Sequence, residues 1–233
     1  MPWLPGKDKN WPATRNHPEP DREVSSLLKG HFPASHASTL RITGGTAKGR
    51  KLCSPKGARD SIRPTSERVR EALFSILGNR IAGARVLDLF SGTGSLGMEA
   101  LSRGAASVVF VDQSPSSLEL IRSNLQHCFP QSPVALFKID LSRPAGYTSL
   151  VSRLAPNNLF DIVFLDPPYE KKLAETALTM VDTTGLVAAG GSLIVEERWK
   201  IILPEQRGSL RLYLHRRYGE TGIWLYTTEK SSS

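Results

Sequence analysis

A chain of 233 residues with 39% apolar and 22% charged side chains has the composition of a soluble globular protein with one full core, and its formal net charge is +8. No apolar run approaches the roughly 18 residues a membrane-spanning helix needs, and the opening MPWLPGKDKNWP lacks the continuous apolar stretch of a secretory signal. Cys53 and Cys128 form no ligand-spaced pair and the five histidines show no metal-ligand spacing, so neither a disulfide framework nor a metal site is expected, and a reducing cytoplasm fits best.

Residues 1–38 contain Pro2, Pro5, Pro12, Pro18, Pro20 and Pro33 without sustained periodicity, which predicts a disordered extension. Asp8, Glu19, Asp21 and Glu23 argue against an organelle-targeting peptide, which would be poor in acids. Residues 39–53, TLRITGGTAKGRKLC, read as two short strands around the flexible Gly44-Gly45 and Gly49. In SIRPTSERVREALFSILG, Thr65 or Ser66 caps a helix whose apolar stripe is Val69, Ala72, Leu73, Ile76 and Leu77. Residues 41–85 hold eleven basic and three acidic side chains, a net charge equal to that of the whole chain. Two readings stand: a solvated basic face, or a surface that binds a polyanion by displacing counterions from its phosphates.

From Arg85 strand and helix alternate: RVLDLF, SVVFVD, VALFKID, FDIVFLD and GSLIVEE are short apolar strands, each separated from the next by a helical stretch. This pattern predicts a parallel sheet covered on both faces. The last part, SLRLYLHRRYGETGIWLYT, reads as two strands joined near Gly219–Gly222, an antiparallel pair at the sheet edge. The expected organisation is thus a basic hairpin and helix over 39–84, followed by an α/β domain over 85–230 with a mostly parallel, seven-stranded sheet.

Gly92, Gly94 and Gly97 satisfy G-x-G-x-x-G between the first strand and its helix, a pattern found at dinucleotide pyrophosphates. Three details redirect that reading. Asp88 lies inside the strand end, where its charge suits an ammonium better than a pyrophosphate. Phe90 and Ser91 separate strand from glycine. A nicotinamide site also leaves Asp166-Pro167-Pro168-Tyr169 without a role, although two prolines end a strand more rigidly than a simple stop requires. Asp88, Asp112, Asp140 and Asp166 close four successive strands, at the edge where open parallel sheets bind ligands. Asp112 suits the two hydroxyls of a ribose. Asp140 suits an adenine amino group or caps the helix beyond Ser142. A ligand combining adenine, ribose and an amino acid is S-adenosylmethionine.

The segments DLFSGTGSLGMEAL, FVD and FLDPPY resemble the cofactor and catalytic motifs of class I methyltransferases that act on exocyclic amines. With RITGGTAKGRKL, RPTSERVREALF and YGETGIWLY, the chain resembles the bacterial 16S rRNA guanine-N2 methyltransferases of the RsmD type over about residues 40–228. The resemblance implies a Rossmann-like class I methyltransferase fold, with S-adenosylmethionine held by Asp88, Phe90, Gly92, Gly94, Asp112, Gln113, Asp140 and Leu141. It implies catalysis by Asp166, Pro167, Pro168 and Tyr169. It makes Arg41, Lys48, Arg50, Lys51, Arg63, Thr65, Arg68 and Arg70 the candidate RNA contacts. The implied substrate is a guanine of 16S rRNA, in the assembling small ribosomal subunit, for a monomeric cytoplasmic enzyme with no membrane partner. A DNA adenine-N6 or cytosine-N4 methyltransferase, and an RNA-binding assembly factor without turnover, are the alternatives. Glu196-Glu197, Tyr218 and Trp224 read as structural.

Overall fold

The computed structural model describes residues 40–54, 67–155, 159–169 and 173–229. The chain divides into two units, Met1–Ser35 and His36–Ser233, and every described residue belongs to the second. The expected extension over 1–38 and the candidate RNA contacts Arg63 and Thr65 lie outside the described residues.

Helix α1 (Glu67–Leu77) runs into a 3₁₀ turn (Gly78–Ile81). The alternation then follows as β1 (Arg85–Leu89), α2 (Ser95–Ser102), β2 (Ser107–Asp112), α3 (Pro115–Cys128), β3 (Val134–Lys138), α4 (Pro144–Arg153), β4 (Phe160–Leu165), α5 (Leu173–Thr183) and β5 (Val187–Arg198). Strands β6 (Gln206–Arg207), β7 (Leu210–Tyr218) and β8 (Thr221–Thr228) complete one eight-stranded sheet in the order β3-β2-β1-β4-β5-β8-β7-β6. Strands β1 to β5 are mutually parallel, and β8, β7 and β6 add antiparallel. The seven expected strands are therefore present, and the two-residue β6 is one more.

Side chains alternate across the sheet, so each strand feeds two cores. Val86, Val108, Phe110, Ile162 and Phe164 pack on the face covered by α1, α2 and α3, with Leu73, Phe74 and Leu77 of α1 buried among them. Leu87, Val109, Val111, Val163 and Leu165 pack on the opposite face, with Tyr147 and Leu150 of α4 and Ala177, Leu178 and Val181 of α5. Each fully buried side chain of this size stabilises the fold by roughly 1.5–3 kcal/mol, before the entropic cost of ordering it. The register of these strands decides where the site lies. Leu89 pairs with Val111 on one side and Leu165 on the other. The residues that follow, Phe90, Asp112 and Asp166, therefore leave the sheet side by side.

The N-terminal segment departs from the expected hairpin. Only Arg41 and Lys51 form a bridge, supported by Ile42 N–H donating to Arg50 O (3.0 Å) and Leu52 N–H to Leu40 O (2.9 Å). The loop between them is drawn onto the end of α2. Ser102 O accepts from Thr46 N–H (2.7 Å), and Ser102 Oγ accepts from Ala47 N–H (2.9 Å). A Cβ on Gly45, whose φ is +76°, would come within 1.9 Å of Ser102 O, so only glycine permits this approach. At the far end Asn124 of α3, itself buried, accepts from Cys53 N–H (2.7 Å) and donates to Cys53 O (3.2 Å).

Two candidate RNA contacts change role in this docking. Arg70, expected on the surface, is fully buried. Its Nε donates to Glu99 Oε2 (3.3 Å), and its Nη2 donates to the carbonyl of Arg41. Glu99, buried in the middle of α2, also accepts from Thr43 N–H (2.8 Å), Thr43 Oγ1 (2.7 Å) and Arg103 Nε (2.8 Å). Burial pushes the Arg70 pKa down, and Glu99 opposes that shift. Arg70 thus locks α1 and the N-terminal loop to α2 rather than meeting phosphate: its side chain is enclosed between them. Arg50 stays exposed, but its Nη1 donates to the His127 and Cys128 carbonyls (3.3 and 3.2 Å) at the end of α3, where a cation satisfies helix-terminal acceptors.

Candidate active site

The order of β1, β2 and β4 reverses the chain direction of assembly at β1, and parallel sheets open a crevice at such a point. A cleft of about 780 Å³ lies there, within the range that holds a cofactor-sized ligand. Its walls come from the tips of β1 to β5, the loops that follow them and the turn between β7 and β8.

The floor is the turn after β1. Phe90 adopts φ +58°, a conformation that costs a bulky side chain roughly 1–3 kcal/mol. The strain turns the chain sharply, so that Phe90 and Gly92 both line the cleft. Ser91 secures the turn by accepting from Val111 N–H (2.9 Å) and donating to Asp88 O (2.6 Å). Gly94 and Gly97 do not line the cleft. A Cβ on Gly97 would lie 2.2 Å from the Phe110 ring, so this glycine allows α2 to approach β2.

The second wall is Asp112. Its Oδ2 accepts from Gly92 N–H (2.8 Å) and its Oδ1 from Ser114 N–H (2.8 Å). Each carboxylate oxygen retains a further lone pair, which suits a pair of vicinal hydroxyls. Gln113 and Ser114 extend this wall, and Val111, Ile139 and Leu141 provide an apolar slot fitting a flat ring. The remaining wall is Asp166, Pro167, Pro168 and Tyr169. The glycine turn and the Asp-Pro-Pro-Tyr corner thus share one cleft, as the aligned ends of β1, β2 and β4 require. A ligand with a ribose and a purine fits the first two walls and leaves the corner facing its other end.

Besides Gly94, two more of the expected cofactor residues, Asp88 and Asp140, stay outside the cleft walls. Asp88 is 1% exposed, and its Oδ2 accepts from Gly97 N–H (2.9 Å) in the first turn of α2. Burial raises its pKa to about 8, with Asp112 adding to the effect, so the group is mostly protonated at neutral pH. Asp88, read in the sequence as a counter-charge for an ammonium, is joined to α2 by that hydrogen bond and does not line the cleft. Asp140 is exposed and accepts from Ser142 N–H (2.9 Å); the Ser142 side chain first, and then this N–H, lower its pKa. Asp140 does not cap α4, whose N-cap position is Arg143 without a side-chain cap bond; it closes a local turn at Ser142 instead.

Tyr169 is tied more tightly than its motif suggests. Its hydroxyl donates to Glu196 Oε1 (3.2 Å), and the Arg198 guanidinium carbon lies 5.7 Å from its ring centroid. Burial first, then the Glu196 charge, pushes the phenol well above its ordinary pKa, so it remains a donor. Glu196, read as structural in the sequence, is 5% exposed and anchors the corner. Arg198, Glu220 and Thr221 also line the cleft. These were missed, although Glu220 and Thr221 fall within YGETGIWLY; only the pairing of β5 with β8 carries them to the corner. Trp224 is core, stacked under His215 at 4.4 Å, and Tyr218 packs against the core on the opposite face of the sheet. Arg41, Lys48, Lys51 and Arg68 are exposed.

The family described as Conserved hypothetical protein 95 matches residues 40–227. The Bacillus subtilis (strain 168) protein YlbH is 33% identical over 187 residues, spanning 80% of this chain and 98% of its own. The Escherichia coli (strain K12) protein named Ribosomal RNA small subunit methyltransferase D is 31% identical over 195 residues, spanning 84% of this chain and 93% of its own. The solved structure of the Escherichia coli protein yhhF is similar with a TM-score of 0.69 at 30% identity, covering 82% of this chain and 99% of that one.

Proposed function

The chain belongs to the Conserved hypothetical protein 95 family, and from that premise we propose that it transfers a methyl group from S-adenosylmethionine to the exocyclic N2 amine of a guanine in 16S rRNA. The observation that carries the reading is the single cleft shared by Gly92, Asp112 and Leu141 with Asp166, Pro167, Pro168 and Tyr169. The relative named Ribosomal RNA small subunit methyltransferase D supports rRNA as the substrate class.

S-adenosylmethionine supplies an electrophilic methyl group on a sulfonium; the chain supplies position. Asp112 receives the ribose hydroxyls, and Val111, Ile139 and Leu141 flank the adenine. An exocyclic amine is a poor nucleophile, because its lone pair is delocalised into the base. Asp166 and the Pro167 carbonyl accept its two hydrogens, which aims the lone pair and favours the tetrahedral nitrogen formed on attack. The ring of Tyr169 stacks on the extruded base, a contact worth roughly 1–3 kcal/mol. Its protonated phenol excludes it as the base. The amine becomes acidic only as the methyl arrives, so the proton leaves afterwards to Asp166 or water. Holding both reactants turns a bimolecular encounter into an intramolecular one, the largest source of rate here.

The RNA surface is formed by Arg41, Lys48, Lys51 and Arg68, with Arg50 shared between RNA and α3. We read the enzyme as a cytoplasmic monomer acting on the assembling small subunit. Among the described residues no helix is long and apolar enough to cross a membrane. The test is labelled methyl transfer to unmethylated small-subunit particles, to naked 16S rRNA and to duplex DNA. Label confined to rRNA is expected. Label in duplex DNA alone would overturn the substrate, and no label in any substrate would favour an assembly factor without turnover.

A further inference from the structure

The loop joining β5 to β6 begins at the cleft and projects from it. Arg198, the last residue of β5, lines the cleft, and Trp199 N–H donates to the carbonyl of Glu220, another lining residue (3.0 Å). A turn closed by Ile201 N–H to Arg198 O (2.9 Å) carries the chain to Ile202. Ile202 is 91% exposed and Ile201 43%, beside a returning Leu203 that is 5% exposed and packed in the core. Pro204 O accepts from the Tyr226 hydroxyl (2.8 Å). The tip is therefore apolar and extended, while both of its ends are pinned. At four residues from Arg198, the Ile202 Cα lies within about 14 Å of a cleft-lining position.

The base of this loop, at Trp199, carries two cations, while the exposed Glu205 follows the tip. The Arg217 guanidinium lies 3.6 Å from the Trp199 ring centroid and the Lys200 ammonium 5.9 Å from it, with Glu220 3.9 Å from Arg217 the acid beside them. An exposed aliphatic side chain three residues beyond a tryptophan that holds two cations suits a surface that is anionic outside and apolar between its stacked bases. Proteins that distort nucleic acid use isoleucine, leucine and similar residues to open a base step. A base that must enter a cleft leaves a gap behind it, and unstacking is the cost of that movement.

We propose that Ile202 is an RNA wedge: it enters the base stack next to the target guanine and fills the space vacated as that base turns into the cleft, with Lys200 and Arg217 on the adjoining phosphates. This rests on the rRNA reading above. The wild-type protein, Ile202→Ser and Ile202→Leu are compared for methyl transfer to naked 16S rRNA and to small-subunit particles. A third substrate is an rRNA fragment with an abasic site beside the guanine that the wild type labels. Ile202→Ser is expected to lose at least tenfold in kcat/KM on both intact substrates, with RNA and cofactor affinities within threefold. Ile202→Leu is expected to stay within twofold of wild type, and the abasic fragment to restore Ile202→Ser to within threefold. Full activity of Ile202→Ser overturns the wedge alone. Loss on particles but not on naked rRNA overturns it in favour of a protein contact. Failure of the wild type to label any rRNA overturns the substrate reading and the wedge with it.

Discussion

The cleft and the basic segment docked beside it are each organised around a buried acid, but the two acids are answered differently. Glu99 is met by Arg70 and Arg103 and by two donors of Thr43, so it cross-links three segments through charge-assisted hydrogen bonds. The Asp88 carboxyl accepts from one backbone N–H at the start of α2, and burial raises its pKa to about 8. A cation at Glu99 makes the docking face a matter of stability. At Asp88 a proton takes that part, and the acids that line the cleft are Asp112, Asp166 and Glu220. The positive charge of residues 41–85 is divided in the same way: some holds the segment on, and some is left for RNA.

The comparison breaks first if the cleft acids prove structural. Asp166→Ala should lower kcat by about a thousandfold or more, with cofactor affinity by calorimetry and melting temperature nearly unchanged; a parallel loss of affinity would contradict that division. Asp88→Asn tests the proton. The unfolded carboxyl ionises near 3.8 and the folded one near 8, so between these pH values the native state holds the extra proton and wild-type stability falls as pH rises. The asparagine variant does not titrate. Its stability relative to wild type should climb by up to about 1.4 kcal/mol per pH unit from pH 5 to 8, read by urea denaturation. A pH-independent difference would place the Asp88 pKa elsewhere.

Arg70→Met should destabilise by about 3 kcal/mol, since it strands part of the buried Glu99 charge. Cofactor affinity of the folded fraction should remain within threefold. If this variant instead kept its stability and lost RNA affinity, Arg70 would belong to the RNA surface after all. The smallest effect is expected at the surface: Arg68→Glu should weaken rRNA binding several-fold and reduce the slope of log K against log salt by about one, leaving cofactor binding intact. An unchanged slope would remove Arg68 from the RNA contacts.

The apolar runs of β1, β2 and β4, each flanked by helical periodicity, specified by themselves a parallel sheet with its ligand edge at Asp88, Asp112 and Asp166. Family membership was equally legible in DLFSGTG and DLFSGTG's partner FLDPPY, because those motifs are contiguous and each lies at one strand tip. Contiguous motifs carry part of their geometry with them: the rigid prolines follow from local chain chemistry, whereas the positive φ at Phe90 runs against it and is held by the Ser91–Val111 hydrogen bond. What only the tertiary structure decided is which charges face where. Helical spacing put Arg70 off the apolar stripe, yet Glu99 lies 29 positions later and turns it inward. Glu196, Arg198, Glu220 and Thr221 reach the Tyr169 corner only through the β5–β8 ladder. A side chain's exposure and ionisation depend on the distant groups that desolvate or pair with it, and no local pattern contains that information.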